Sequence, residues 1–426
     1  MNGSAHVREL LDDDALRRIL AAVDAEGAQT RVVGGAVRNA LLGMPVKDID
    51  CATTARPRDV MRLAQAAGLK AVPTGIEHGT VTVVADGRPF EITTLRRDVE
   101  TDGRHAEVAF GTDFREDARR RDFTINALYL DRQGVIHDFT GGLADIAARR
   151  VRFIGDAGTR IREDYLRILR FFRFWADYGE GPLDAEGLSA CIRARGGLFR
   201  LSRERVRSEL LRILVARGAV AAVTVLCDTG FLPMMTGGVA ETGRFARVCA
   251  GSGDGLLRLA ALCVTIPEDA ERLRERLRLS NGEHERLSRA GAAIAHLHGR
   301  REPLDARALR RLAVLRGLPA VADALAVTDG EPSPVVTDDA RVLLARYADG
   351  SQPVPVFPLS GRHLAARGVP PGPRMGQALE RARALWLDAD CPMDGPALAA
   401  VLAGAVEGGS GLGRGRGESA PVEALR

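Results

Sequence analysis

The chain has 426 residues, 46% of them hydrophobic and 4% aromatic, with a net charge of +4. That length exceeds what one compact core holds and predicts two to four folded domains. The mild basicity permits a nucleic-acid partner, while the scarcity of aromatics excludes an extensive set of base-stacking platforms.

Lys47 and Lys70 are the only lysines, and neither follows a glycine loop, which removes a P-loop reading. Cys51, Cys191, Cys227, Cys249, Cys263 and Cys391 are scattered, without a C-x-x-C pair or histidines at zinc spacing. They predict reduced thiols in a cytoplasmic protein. Met1 to Asp14 lack a signal-peptide apolar run, and no uncharged segment reaches the roughly 20 residues of a membrane span.

In chain order, residues 7–26 predict an amphipathic helix and Thr30 to Val33 a buried strand. Gly34-Gly35 opens a short helix over 36–42, stopped by Gly43 and followed by Pro45. An apolar-flanked Asp48-Ile49-Asp50 strand comes next, then a helix over 57–67 opened by Pro57. Gly79 to Ala85 and Phe90 to Thr94 predict a hairpin about Asp86-Gly87. Residues 96–118 are polar and aperiodic and predict a mobile loop. A helix begins near Glu116 and carries Arg119-Arg120-Arg121-Asp122, and Leu128 to Leu130 with Val135 to Asp138 predict a second hairpin.

From Ala144 onward strands give way to helices, over 159–178, 203–216, 219–230, 241–265, 267–278, 284–299, 305–316, 319–328, 338–348 and 376–388. Proline-rich 352–358 predicts a linker or hinge, and the low-complexity stretch from about Gly408 a disordered tail.

Three constellations carry chemistry. The first is Gly34-Gly35 with Asp48 and Asp50. A strand of period two puts both carboxylates on one face, where they repel unless a divalent cation neutralises them. A glycine pair before a helix lets backbone N–H groups approach phosphate oxygens at its positive end. Taken alone, the glycines also read as a turn and the aspartates as a solvated strand end. Their order points instead to a site for Mg²⁺ and a nucleoside triphosphate. Such sites take a third carboxylate from a neighbouring strand; Glu91, between Phe90 and Ile92, fits that place or a solvent-facing hairpin position.

The second constellation is the run Arg119-Arg120-Arg121-Asp122 with Asn126. It reads as a clamp on triphosphate oxygens, with Asp122 accepting from ribose hydroxyls, or as a solvated charged face. The third is Glu163-Asp164-Tyr165-Leu166-Arg167. On one helix, Glu163 would orient Arg167 at i, i+4, and Asp164 would lie near Arg167 at i, i+3. An Asp acceptor beside an Arg donor matches the pairing edge of cytosine or adenine, which offers an amine next to a ring nitrogen. Uracil and guanine would meet the carboxylate acceptor to acceptor. An ordinary helical ion pair is the other reading.

GGAVR with DID, RRDFTINAL at 120–128, EDYLRILRFFRF at 163–174 and LSRERVRSELLRIL at 201–214 together resemble the class II CCA-adding tRNA nucleotidyltransferases and the related bacterial poly(A) polymerases. The resemblance covers roughly residues 28–216 and implies template-independent addition of C, C and A to the tRNA 3′ end from CTP and ATP. A partner specificity, A-only, CC-only or poly(A), belongs to the same family. The fold implied is an α/β polymerase-β-type nucleotidyltransferase head with a small mixed sheet, followed by an all-α neck, body and tail. These would span 1–145, 146–216, 217–350 and 351–407, with 408–426 disordered.

The resemblance also assigns roles. Asp48 and Asp50 would bind Mg²⁺, with Glu91 as the third catalytic carboxylate. Gly34, Gly35, Arg38, Arg120, Asp122 and Asn126 would contact the nucleotide's sugar and phosphates. Arg104 would help the loop rearrange between CTP and ATP addition. Glu163, Asp164 and Arg167 would act as a protein template for the base. Asn39 departs from the aspartate common at that position, and no His-Asp pair in the C-terminal half predicts an appended phosphohydrolase domain. A looser likeness, at Phe357 to Gly361 and Arg367 to Gly376, predicts a glycine-bounded helix–turn–helix meeting RNA phosphate.

Overall fold

The computed structural model describes residues 3–97, 109–332 and 335–407. Arg104 and the tail from 408 lie outside the described residues. The chain divides into two compact units, Met1–Met235 and Thr236–Arg426.

The first unit begins with two helices, α1 (Gly3–Leu11) and α2 (Asp14–Val23), where the periodicity predicted one. Asp13 separates them because its carboxylate accepts the Leu16 N–H as an N-cap. There follow β1 (Thr30–Val33), α3 (Gly35–Leu42), β2 (Asp50–Thr53), α4 (Pro57–Ala66), β3 (Lys70–Gly75), β4 (Thr80–Ala85) and β5 (Arg88–Thr94). Asp86 and Gly87 both have positive φ in the β4–β5 turn, as a type I′ hairpin requires. Residues 96–118 are not loop throughout. Arg96–Arg97 (β6) pairs with Ala109–Phe110 (β7), and α5 (Phe114–Arg119) begins at the cap Asp113. Leu128–Leu130 (β8) and Ile136–Asp138 (β9) form the second hairpin.

The main sheet has seven strands in the order β3-β4-β5-β2-β1-β8-β9. Every ladder in it is antiparallel except β2 with β5. The mixed α/β head expected from the sequence is therefore present. Its core gathers Val33, Ala52, Leu95, Phe114, Ala127, Tyr129 and Ile154.

Helices follow: α6 (Gly142–Ala147), α7 (Ala157–Glu163), α8 (Leu166–Tyr178), α9 (Ala185–Ala194), a 3₁₀ segment (Arg195–Arg200), α10 (Arg203–Val215), α11 (Ala219–Asp228) and α12 (Phe231–Thr236). An aromatic seam ties them to the sheet. Phe123 lies 4.9 Å from Phe153 and 5.2 Å from Phe174, and Phe153 lies 5.3 Å from Phe171 between ring centroids. The buried Arg173–Glu209 pair fastens α8 to α10.

The second unit is helical throughout its named elements. The helix predicted over 241–265 is two, Thr242–Gly251 and Gly255–Cys263, because Asp254 caps the second by accepting from Leu256 and Leu257 N–H. Residues 352–358 are irregular, yet Phe357 packs edge-on to the buried Trp386 at 5.3 Å, so this segment joins a core rather than hanging free. The helices Gly361–Ala365 and Pro373–Asp388 flank the predicted turn. All six cysteines are free thiols. No described helix is long and apolar enough to cross a membrane.

Candidate active site

The site is built at one end of the sheet. β1 ends at Val33, and the chain turns through Gly34 at φ 72° and ψ −120°, a conformation open to glycine. A Cβ there would lie 3.5 Å from the Asn126 carbonyl oxygen and 3.6 Å from Arg121 Nη1. Gly34 N–H is used by Leu128 O at 3.1 Å, so the donors left for a ligand are those of the first turn of α3. Gly35 has ordinary φ and only Arg38 Nη2 near it, at 3.6 Å.

β2 begins at Asp50, and Asp48 lies in the approach to it. Exposure alternates along this stretch: Asp48 and Asp50 out, Ile49 and Cys51 in. The two aspartates thus share a face as the period-two spacing predicts, although the strand itself begins only at Asp50. In the parallel ladder Asp50 pairs in register with Glu91, and both side chains leave the sheet on the same side. Crowding by the protein pushes the Asp50 carboxyl above the ordinary carboxylate value; the charges of Glu91 and Asp48 push the same way, and Arg121 opposes them. Among the described residues no three acidic, His or Cys side chains already stand in ligating geometry. The donor set is nevertheless all oxygen, and the mutual repulsion felt by Asp50 is what a hard divalent cation relieves. The residues present therefore fit such an ion.

Arg121 is the arginine that reaches this end. It hydrogen-bonds Asp117 at 3.1 Å and Tyr129 Oη at 3.2 Å, and Tyr129 Oη donates to Asp117 at 2.8 Å. Burial works against the Arg121 charge, and Asp117 and Tyr129 together more than offset it. Arg120 caps α5 and stands 3.9 Å from Asp117. The run of arginines is thus not one helical face, since α5 ends at Arg119.

Asp122 is only 8% exposed. One carboxylate oxygen accepts from Phe123 N–H and Asn126 Nδ2, the other from Arg170 Nε at 2.8 Å. Arg38, 6% exposed, donates to Asn126 Oδ1, to Asn39 Oδ1 at 2.9 Å and to Tyr178 Oη at 2.7 Å, with its guanidinium 3.9 Å above the Tyr178 ring. Arg38, Asn126, Asp122 and Arg170 form one chain of buried polar contacts that links α3, the loop after α5, and α8.

The third constellation departs from its expected geometry. Glu163 ends α7, Asp164 is extended at φ −153° and ψ 109°, and α8 starts at Leu166, so the motif spans a break and not one helix. Asp164 itself makes the break, because its carboxylate accepts the Leu166 N–H at 3.0 Å and caps the next helix. Glu163 still pairs with Arg167, which also donates to Arg160 O at 2.9 Å. The expected neighbour of Asp164 is replaced: its second oxygen accepts from Arg205 Nη2 at 2.7 Å, not from Arg167. A cavity of about 380 Å³ beside this region is lined by Arg119, Thr124, Thr140, Arg152, Ile154 and Arg160. Arg170 and Arg205 were not singled out by the sequence. Their only signal there is membership of the third and fourth motifs.

A mixed sheet that aligns carboxylates beside a glycine-opened helix is the arrangement of a nucleotidyl-transfer site. Residues 30–152 match the family model described as the Poly A polymerase head domain. The CCA-adding enzyme of Limosilactobacillus fermentum is 31% identical over 375 residues, 85% of this chain and 90% of that protein. The mouse mitochondrial CCA tRNA nucleotidyltransferase 1 is 38% identical over 265 residues; the match spans 61% of its length. The crystal structure of the Bacillus stearothermophilus CCA-adding enzyme in complex with CTP superposes with a TM-score of 0.69 at 28% identity, over 88% of this chain and 93% of that one. The chain belongs to the CCA-adding enzyme family.

Proposed function

We propose that the protein adds C, C and A in turn to the 3′ end of tRNA, using CTP and ATP and no nucleic-acid template. The 3′-hydroxyl oxygen attacks the α-phosphorus of the incoming nucleotide. A phosphodiester forms, the bond to the β-phosphate breaks, and pyrophosphate leaves. The observation that carries this reading is the in-register Asp50–Glu91 pair at the mouth of the Gly34-Gly35 turn, on the same unit as Glu163, Asp164 and Arg167.

Asp48, Asp50 and Glu91 would hold Mg²⁺. When bound, that ion supplies a more acidic attacking hydroxyl and neutralises charge on the phosphates. Gly34 and Gly35 let the α3 amides approach the triphosphate, and Arg120 and Arg121 meet its oxygens. Arg38, Asp122 and Asn126 fix the sugar side through their buried network. Arg167 donates to the base and Asp164 accepts from it, with Glu163 holding Arg167. Head, neck, body and tail occupy 1–145, 146–216, 217–350 and 351–407, and the enzyme works in the cytoplasm. The match to a Poly A polymerase head supports a second specificity, A-tailing, since that head alone does not set the product.

The test supplies Mg²⁺ and tRNA transcripts ending at the discriminator base, at C and at CC, with CTP and ATP separately and together. Three ordered additions, C before A, are expected. A alone on the CC end, or long A tails, moves the protein to the second specificity.

A further inference from the structure

The 3₁₀ segment Arg195–Arg200 carries a feature that phosphoryl chemistry at Asp50 does not use. Phe199 is 69% exposed and is the only aromatic among the exposed large hydrophobics of the described residues. Its backbone is held firmly. Gly197 is pressed on the Tyr165 ring so closely that a Cβ would lie 1.8 Å from it, and Leu198 is buried. With those two residues turned inward, the phenyl ring is directed to solvent by a fixed support. Arg200 lies 5.5 Å over the same Tyr165 ring, and Arg195 donates to Thr229 O at 3.3 Å.

The surroundings are strongly basic. Between 193 and 207 the chain has Arg193, Arg195, Arg200, Arg203, Arg205 and Arg207 against Glu204 alone. Arg205 pairs with Asp164, and Tyr165 follows Asp164 directly, so the ring stands beside the base-reading motif. A lone exposed apolar side chain is common and by itself means little. A single rigid ring among arginines fits one flat, phosphate-bearing partner, because a nucleobase stacks on the ring while its phosphates meet the guanidinium groups. A lipid surface would call for a broader apolar face than one side chain.

We propose that Phe199 is a stacking platform for an unpaired base of the RNA strand being extended, with Arg195 and Arg200 taking adjoining phosphates. The inference rests on reading the substrate as an RNA 3′ end.

The test uses the full chain and a tRNA transcript carrying 2-aminopurine as its 3′-terminal base. Wild type and Phe199→Tyr should quench its fluorescence on binding. Phe199→Ala should lose the quench and raise KM for tRNA roughly 5- to 100-fold, leaving KM for CTP within about twofold. Phe199→Ala with a wild-type quench and KM overturns the platform. Loss of binding to phosphatidylglycerol vesicles in Phe199→Ala, with RNA binding intact, also overturns it and assigns the ring to a membrane. If wild type extends no RNA, the proposed function fails separately, and the quench still decides the platform.

Discussion

Arg205 Nη2 donates to Asp164 Oδ2 at 2.7 Å across 41 residues of chain, while the other Asp164 oxygen is held by the Leu166 amide. A carboxylate gripped at both oxygens presents its remaining lone pairs in fixed directions. Arg205→Gln frees one side, and a charged hydrogen bond of this kind is worth about 1.5–3 kcal/mol. The ratio of kcat/KM for CTP over UTP should fall about tenfold or more. A role confined to RNA binding would leave that ratio unmoved.

Asp50→Asn should cut nucleotide transfer by roughly 10³-fold or more while tRNA affinity is kept. It should also raise thermal stability at pH 7. The folded protein holds the Asp50 carboxyl above its ordinary 3.8, chiefly through crowding by the protein. Ionising it therefore costs stability as pH rises through the raised value, and the cost is fully present at neutral pH. Solvent screening keeps the gain small, about 1–3 °C, and it should vanish near pH 3. Mg²⁺ should raise the Tm of wild type but not of the variant; equal shifts in both would place the ion elsewhere.

Gly34→Ala and Gly35→Ala should behave differently. The first forces a side chain into a positive-φ conformation beside the Asn126 carbonyl, at about 1–3 kcal/mol, and moves the start of α3. KM for both nucleotides should rise about tenfold or more. The second keeps an ordinary φ and meets only the end of the Arg38 side chain, so KM should rise less than in Gly34→Ala. Titration of CTP and ATP against both variants separates them.

Arg170→Met leaves the Asp122 carboxylate buried without its cation, and should cost about 2–3 kcal/mol, or roughly 5–10 °C in Tm. Burial raises the Asp122 pKa, but Arg170, Asn126 and the Phe123 amide outweigh it, so the net value lies below 3.8. The pair therefore stabilises the fold above pH 3.8 and is lost as pH falls through the lowered value. Adding Asp122→Asn to Arg170→Met should recover most of the loss and flatten that acid limb in calorimetry.

Glu163→Gln should loosen Arg167 and admit UTP about tenfold more readily, with KM for tRNA unchanged. Wild-type fidelity in this variant would remove Arg167 from base reading.

The sheet was legible where apolar and polar residues alternate, as at 80–94, and the shared face of Asp48 and Asp50 was legible from their period-two spacing. The missed helix breaks share one cause. Asp13, Asp164 and Asp254 each interrupt a continuous apolar rhythm by capping the next helix, and a rhythm does not record where a side chain turns back on the backbone. β3 was hidden by Pro73, which an edge strand tolerates. Arg170 and Arg205 were hidden by distance, since their partners lie 48 and 41 residues away.

The one parallel ladder of the main sheet has a consequence for how this protein is made. β2 must wait for β5, with α4, β3 and β4 emerging in between. A nascent chain that ends at Ala85 already contains Asp48 and Asp50 and yet has no site. The pairing of Asp50 with Glu91 is a long-loop closure, so the ability to bind a divalent cation doubles as a report that β2 and β5 have paired. Cation-induced protection of the Asp50 amide in pulse-labelled nascent chains would date that step.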